Sequence, residues 1–534
     1  MSSANLGLRG FLLLLAIWLC TKLVAYLFRP AGVPTTKLRG PPSPSRILGF
    51  TRYAMQAADI SVEYEQWAAL YGGVFEIPLA FGMKQVMLSD PKALNHCYNT
   101  ERSIYVRTES ERQVISAMFG RGVLWAEGEM HKRQRKALTP AFSNAAIRKL
   151  TSVFYDSAYK LKSFWDETIE SSSDADSTVI EVQEWMNRVA LDSIGIAGFS
   201  HDFHYIDGKE SPVTAAFHAL ELTDTSLLTK MIFAVAILFP FLQKIPTERM
   251  RTFWRLRKDL ATIAGQLLEH TRREKENGIA EEHRDKSIIG LLIKAELTDA
   301  ELYMTQEEVV AQNVLLLAGY ETTSVSLTWA LVELSRHPEM QQKLREELTK
   351  FGGDPTWDQL SSTSDLPYLD SIVLETLRMH PALKKTPRLA SQDDVIPLST
   401  PIVTATGETV SSITVAKGTV IVEPIRAINR SEAFWGPDAK EFNPERWFRD
   451  IPLATRELQG YRHLLTFHDG PRTCLGKGFA LAEFKAVLSV LIRNYAFEFP
   501  RGPDTKIEEH TAIIDRPKVA GEKGAKVPLR VRRL

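Results

Sequence analysis

Between Phe467 and Ala480 the chain reads FHDGPRTCLGKGFA. Gly470, Pro471, Gly476 and Gly478 in so short a run make regular structure untenable, so this stretch is a loop. A pattern of helical period, Ala480–Asn494, begins where it ends. The fold must therefore hold an irregular loop in front of a helix, with the thiol of Cys474 inside it. There the partial positive charge of the helix N-terminus, backbone N–H groups and the Arg472 cation all favour the thiolate. Taken alone, a single cysteine on a loop is more often structural than reactive. The chain has only three cysteines, Cys20, Cys97 and Cys474. That odd number cannot build a disulfide framework, so stability must come from a large core.

Composition narrows the rest. The 534 residues are 44% hydrophobic and 24% charged, with 65 basic side chains against 65 acidic ones. No broad field draws nucleic acid and no charge block marks a disordered chain, so no nucleic-acid partner is expected. A typical domain size of roughly 150 residues suggests about three domains, but the patterning favours one body. Segments of helical period dominate residues 140–350, among them Glu181–Ile196, Phe253–Arg273, Gln306–Arg336 and Glu339–Lys350. Short β-type runs cluster at Val74–Leu88 and Ile396–Val422, with a further one at Lys526–Leu534. The body reads as mainly α with a small β portion.

At the N-terminus, Phe11–Phe28 is apolar apart from Lys22 and at about 1.5 Å per residue covers roughly 27 Å, enough for one transmembrane helix. A cleaved signal peptide is the alternative, but Tyr26, Phe28 and Arg29 do not make a small-residue cleavage site. Arg9 precedes the span while Arg29, Lys37, Arg39 and Arg46 follow it, which places the body on the cytoplasmic side. Pro41, Pro42 and Pro44 then impose an extended, stiff connection. A second apolar patch, Met231–Leu242, is too short to span and is broken by Pro240. It reads as a buried helix, with a shallow membrane contact as the alternative.

Phe467, Gly470, Arg472, Cys474, Gly476 and Ala480 resemble the haem-binding loop FxxGxRxCxGxxxA of cytochromes P-450. Three further motifs stand in that family's order. Ala318–Thr323 (AGYETT) resembles its oxygen-activation segment, Glu375-Thr-Leu-Arg378 its ExxR motif, and Phe442–Trp447 (FNPERW) the segment carrying Arg446. The resemblance implies a cytochrome P-450 fold with haem b (iron protoporphyrin IX) and Cys474 as the axial iron ligand. Phe467 would pack beside the sulfur, and Gly470 and Gly476 would let the loop approach the porphyrin. Glu375, Arg378 and Arg446 would form a buried structural triad, although an ExxR spacing alone is usually a surface pair. His131, Arg135, Arg388 and Arg472 would hold the propionates; His131 stands where many members have Trp. Thr322, one turn after Ala318, would bond back to an upstream carbonyl and help protonate dioxygen, with Glu321 relaying protons. Cys97 and Cys20 are apolar fillers.

By the same resemblance the chain divides into an anchor, 1–29, a Pro-rich hinge, 30–48, and a haem-thiolate monooxygenase domain, 49–534. It looks like a microsomal enzyme of basidiomycete style, single-pass in the endoplasmic reticulum membrane. It would oxidise a lipophilic small molecule drawn from membrane lipid, a terpenoid or other secondary metabolite ahead of a fatty acid or xenobiotic. An NADPH-cytochrome reductase is the implied electron source, with Lys477 and Lys485 as candidate docking cations. Ser103–Val123, His218–Phe239 and Pro381–Thr386 would line the substrate pocket. A haem-thiolate isomerase or dehydratase, or a non-catalytic haem protein, is the alternative of another class. Asn429-Arg430-Ser431 is a formal glycosylation sequon whose use would contradict a cytoplasmic body.

Overall fold

The computed structural model describes residues 33–57, 59–100, 103–172, 176–209, 215, 246–276, 287–296 and 302–534. The expected span Phe11–Phe28, Cys20, the patch Met231–Leu242 and the segment His218–Phe239 lie outside them. Among the described residues no helix is long and apolar enough to cross a membrane.

Helices carry the body, as the periodicity predicts. Val182–Phe199, Pro338–Phe351, Pro367–Met379 and Lys477–Asn494 pack on a central helix, Val314–Arg336, with Asn144–Glu170 and Glu248–Glu276 further out. That helix is buried on nearly every side, as a helix with apolar residues all round must be. Three of its hydroxyls bond back to the helix itself: Ser326 donates to the Thr322 carbonyl at 2.9 Å, Thr328 to Ser324 at 2.8 Å and Ser335 to Leu331 at 2.7 Å. Gly319 lets the helix lie against Val182–Phe199, since a Cβ there would stand 2.8 Å from the Ile194 side chain.

The sequence predicts one continuous helix from Gln306. Instead, a capping box between Thr305 and Glu308 starts Gln306–Val310, and a tighter 3-10 turn, Ala311–Asn313, precedes the central helix. The side-chain amide of Gln312 donates to the Glu308 carbonyl at 2.9 Å, the acceptor its own backbone N–H would take in an α-helix. The same amide reaches Gln134 Oε1 at 3.1 Å, and its oxygen accepts from the Val123 N–H at 3.1 Å. A long-range contact thus overrides the local helical preference.

The β portion is split. Val74–Pro78, Lys84–Leu88, Val420–Glu423, Thr386–Ala390 and Tyr105–Val106 form one sheet in that order, antiparallel except where Lys84–Leu88 meets Val420–Glu423. Asp394–Val403 and Thr409–Val415 make a separate hairpin, as do Ile507–His510 and Arg516–Val519. Pro528–Arg533 pairs with both Ser177–Glu181 and Tyr495–Glu498, so the expected C-terminal strand ties the chain end to the helical layer.

The Pro-rich connection is extended, as expected, but its described part is stitched to the body. The Thr36 N–H donates to Thr414 at 2.9 Å, the Lys37 carbonyl accepts from Ala405 at 2.8 Å, and Arg39 accepts from the Glu76 N–H at 2.9 Å. Leu38 is buried in the core beside them. Residues 36–39 therefore belong to the body rather than to a free linker.

Candidate functional site

Helix Lys477–Asn494 begins closer to Cys474 than the apolar period suggests. The loop before it is closed by the Cys474 N–H, which donates to the Phe467 carbonyl at 2.8 Å, and by the Thr473 hydroxyl, which donates to Gly470 at 2.7 Å. Gly470 adopts φ +66°, and a Cβ there would sit 2.8 Å from the Tyr98 carbonyl, so the glycine is needed for packing against helix Pro91–Thr100. Cys474 is the one exposed residue between Gly470 and Ala480. Its sulfur nevertheless lies deep among protein atoms, and burial pushes the thiol up against the pull of the Gly476 N–H, Arg135 and Lys477. This corrects the expected electrostatics: the cations acting on the sulfur are Arg135 and Lys477, because Arg472 turns to the Ala126 carbonyl (3.0 Å) and Glu127. Burial therefore opposes the thiolate in the protein alone, and a metal bound at this sulfur would favour it.

Above the core, the central helix has a single accessible stripe. Ala318 is exposed and Leu315, Gly319 and Thr322 are half-buried, while every other residue from Val314 to Ser335 is buried. These four positions share one helical face. The Thr322 hydroxyl donates to the Ala318 carbonyl at 2.6 Å, as the spacing predicts, and the segment stays helical through the bond. Glu321 lies off this stripe, 2% exposed, with Oε1 accepting from Arg516 Nη2 at 3.1 Å. Nearby, Glu483 is fully buried on Lys477–Asn494. Burial holds its carboxyl far above the usual range, opposed only by the neighbouring Ser193 and Thr323 hydroxyls.

Cations converge from separate elements. Arg388 stands on strand Thr386–Ala390, 2% exposed, and His131 and Arg135 stand on helix Gly128–Leu138. His131 is 5% exposed, which excludes an idle surface histidine. Trp125, near it in sequence, is engaged elsewhere: the Arg112 guanidinium lies 4.1 Å from its ring centroid and Arg121 5.2 Å. Sequence reading passed over Arg107 as a cation. Burial and then the charges of Arg388 and Arg472 push its guanidinium down to about 10, against Glu111 and Glu127. Three neighbouring guanidinium groups, offset in part by Glu127, which pairs with Arg472, suit a doubly anionic partner, and a haem with two propionates fits that donor set. The accessible thiol, the accessible helix stripe and this cationic cluster together fit the group the cysteine loop implies.

The ExxR pair is no surface pair. Glu375 and Arg378 side chains are 0% exposed and joined twice, at 2.8 and 2.9 Å. Arg446 Nε donates to Glu375 at 3.0 Å and its Nη1 to Asp438 at 2.9 Å, while the Trp447 indole donates to Glu375 at 3.0 Å. Arg378 also donates to the Asn429 and Ala439 carbonyls at 2.8 and 2.6 Å.

One expectation is overturned. Lys485 cannot dock a partner, because it is buried, with Nζ 2.6 Å from both Asp370 Oδ1 and the Leu360 carbonyl. Lys477 stays partly accessible and lies 4.9 Å from the Tyr461 ring centroid. The sequon says nothing of orientation, since Asn429 is 0% exposed and its amide donates to Thr466 at 3.0 Å. Cys97 is buried, as a filler should be.

A family model described as Cytochrome P450 matches residues 41–520. The chain is 58% identical over 528 residues to cytochrome P450 monooxygenase claP of Ampulloclitocybe clavipes, covering 98% of this chain and 97% of that one. It is 57% identical to claQ of the same fungus, over 98% and 97% of the two chains. It is 35% identical to cytochrome P450 monooxygenase 205 of Postia placenta, over 97% and 96%. With the loop, the helix stripe and the buried triad in place, the chain belongs to the cytochrome P450 family and is a monooxygenase resembling those of basidiomycete fungi.

Proposed function

We propose that this monooxygenase binds haem b through Cys474 and oxidises an apolar small molecule, a terpenoid or other secondary metabolite, with electrons passed from NADPH by a separate reductase. We further assign the body to the cytoplasmic face of the endoplasmic reticulum, anchored by residues 1–29. The observation that carries the reading is the pairing of an accessible Cys474 with a helix accessible only along Leu315, Ala318, Gly319 and Thr322. The substrate class rests on the basidiomycete character of the relatives. A cavity of about 330 Å³ bounded by Phe119, Gly120, Arg257, Glu307, Val310 and Asn313 opens beside the start of the central helix. It includes part of Ser103–Val123, the segment expected to line the pocket.

Haem, when bound, supplies the redox chemistry that splits dioxygen and inserts one oxygen atom into a C–H bond. Cys474 supplies the sulfur, with the Gly476 N–H and Arg135 stabilising its negative charge. Arg107, Arg388, Arg472, His131 and Arg135 would hold the haem carboxylates. Thr322 spends its proton on Ala318, so its oxygen offers lone pairs toward the accessible stripe and orders a proton donor there. Glu321, next in the chain, carries protons inward. The triad of Glu375, Arg378 and Arg446 keeps the scaffold rigid and takes no part in proton transfer.

The test is a membrane preparation with reductase and NADPH, challenged with terpenoids, fatty acids and aromatics. Oxygenated terpenoids made in proportion to NADPH support the proposal; oxidation confined to fatty acids or aromatics contradicts the substrate class. Thr322→Ala should keep haem but raise the hydrogen peroxide released per NADPH several-fold; an unchanged ratio contradicts the role given to its hydroxyl.

A further inference from the structure

Glu321 forms an ion pair with a residue 195 positions downstream, Arg516, and both side chains are almost fully buried, at 3% and 4% exposure. Arg516 opens the strand Arg516–Val519 and pairs with His510 across the C-terminal hairpin. Its Nη2 also lies 3.4 Å from the Tyr320 hydroxyl, so one guanidinium bridges two successive residues of the central helix. Immediately before it, Asp515 accepts from Lys384 Nζ at 2.6 Å. That lysine also reaches Glu509 at 2.6 Å, and Glu509 meets Arg426 at 2.7 Å. Exposure along this chain is greatest at Asp515, 29%, and Lys384, 23%, and falls to 15% at Glu509 and 7% at Arg426. Charged groups near the surface thus fix the hairpin that brings the buried cation to Glu321.

We propose that Arg516 is the positioning residue for Glu321, a fixed cation that keeps the acid a carboxylate ready to accept a proton and directs it from the hairpin side. This rests on the relay reading of Glu321. The physical case turns on Arg rather than Lys. A guanidinium does not give up its proton in a protein, so the buried pair cannot relax into two neutral groups. Glu321 must then take its proton from water, and the bond to Arg516 weakens as it does so. Without the cation, a carboxyl at this depth takes up a proton and loses its capacity as acceptor.

Infrared spectra of the haem-loaded full chain read that state directly. Wild type should show no protonated-carboxyl band from Glu321. Arg516→Met should add one, and the double variant R516M/E321Q should lose it, while the Glu483 band stays constant throughout. In parallel, with reductase, NADPH and 7-ethoxycoumarin as an apolar probe, R516M should raise the hydrogen peroxide released per NADPH by about fivefold, as loss of a proton-delivery contribution would. Arg516→Lys, whose ammonium can give up its proton and leave a neutral pair with Glu321, should restore the wild-type ratio only in part, and the double variant should be no worse than E321Q alone. If R516M fails to retain haem, Arg516→Gln, which keeps a donor without the charge, carries the same test. A wild-type peroxide ratio without the cation overturns the proposal, as does the absence of a new carboxyl band. If E321Q itself leaves the ratio unchanged, the relay reading falls, and the infrared arm still reports whether Arg516 sets the state of Glu321.

Discussion

Glu375 accepts from two guanidinium groups, an indole and the Asn443 N–H, all at 2.8–3.0 Å. Removing one charged member strands the others without solvent, and Arg378→Met is expected to cost about 3–5 kcal/mol. Denaturant unfolding of the haem-loaded protein measures it, and a loss below about 1 kcal/mol would contradict a buried network. A second buried pair sets a pH limit. His380 Nε2 lies 2.7 Å from Glu333 Oε1, with its ring stacked on Trp329 at 3.8 Å. Burial pushes His380 down to about 4 despite the Glu333 hydrogen bond. Burial opposes ionisation of Glu333 as well, but the hydrogen bond from His380 and the nearby charge of Arg336 outweigh it and hold the carboxyl below its usual range. Between the ordinary 6.5 and the folded value near 4, the unfolded chain binds the His380 proton and the folded chain does not. Stability therefore falls as pH drops through that window, by on the order of 1–2 kcal/mol between pH 7 and 5. The stabilising share of Glu333 is lost only below 4.5, outside this window. His380→Gln keeps a donor for Glu333 and should flatten the slope; an unchanged slope would place the titration elsewhere. Motif spacing revealed Glu375, Arg378 and Arg446 because their pattern is local. Arg107 and Arg516 carry no such mark: what makes each matter is a partner brought close only by the fold.

Among the secondary elements, the cysteine loop depends most on a single backbone conformation. Gly470 combines φ +66° with a close approach to the Tyr98 carbonyl, so Gly470→Ala is strained whatever rearrangement follows. The expected result is a folded helical body with far less haem per chain, read from circular dichroism beside haem absorbance. Full haem content would show that the loop tolerates a different path. Strands and helices were legible where periodicity was strong, as in Val74–Leu88 and Pro338–Phe351. The 3-10 turn at Ala311–Asn313 was not, because it follows from Gln312 meeting Gln134, a residue 178 positions away. The start of helix Lys477–Asn494 is not legible in the sequence, because Lys477 and Gly478 break the apolar period while the backbone already turns.

Across the whole molecule, length alone suggested about three domains, yet one family model spans residues 41–520. The helical body and the small sheets are joined by contacts that no local pattern encodes, such as the pairing of Pro528–Arg533 with Ser177–Glu181. Composition misled at Lys485, where a lysine on a helix reads as a surface cation although Asp370 draws it into the core. The cysteine count proved the most informative of the bulk figures, since Cys97 is buried filler and Cys474 is accessible in the candidate site. Everything proposed for the reaction depends on that sulfur binding iron. The decisive measurement is the carbon monoxide difference spectrum of the reduced, haem-loaded protein, wild type against Cys474→Ser. Wild type should give the thiolate-type carbonyl band and the serine variant should lack it; the same band in both would mean that Cys474 is not the iron ligand.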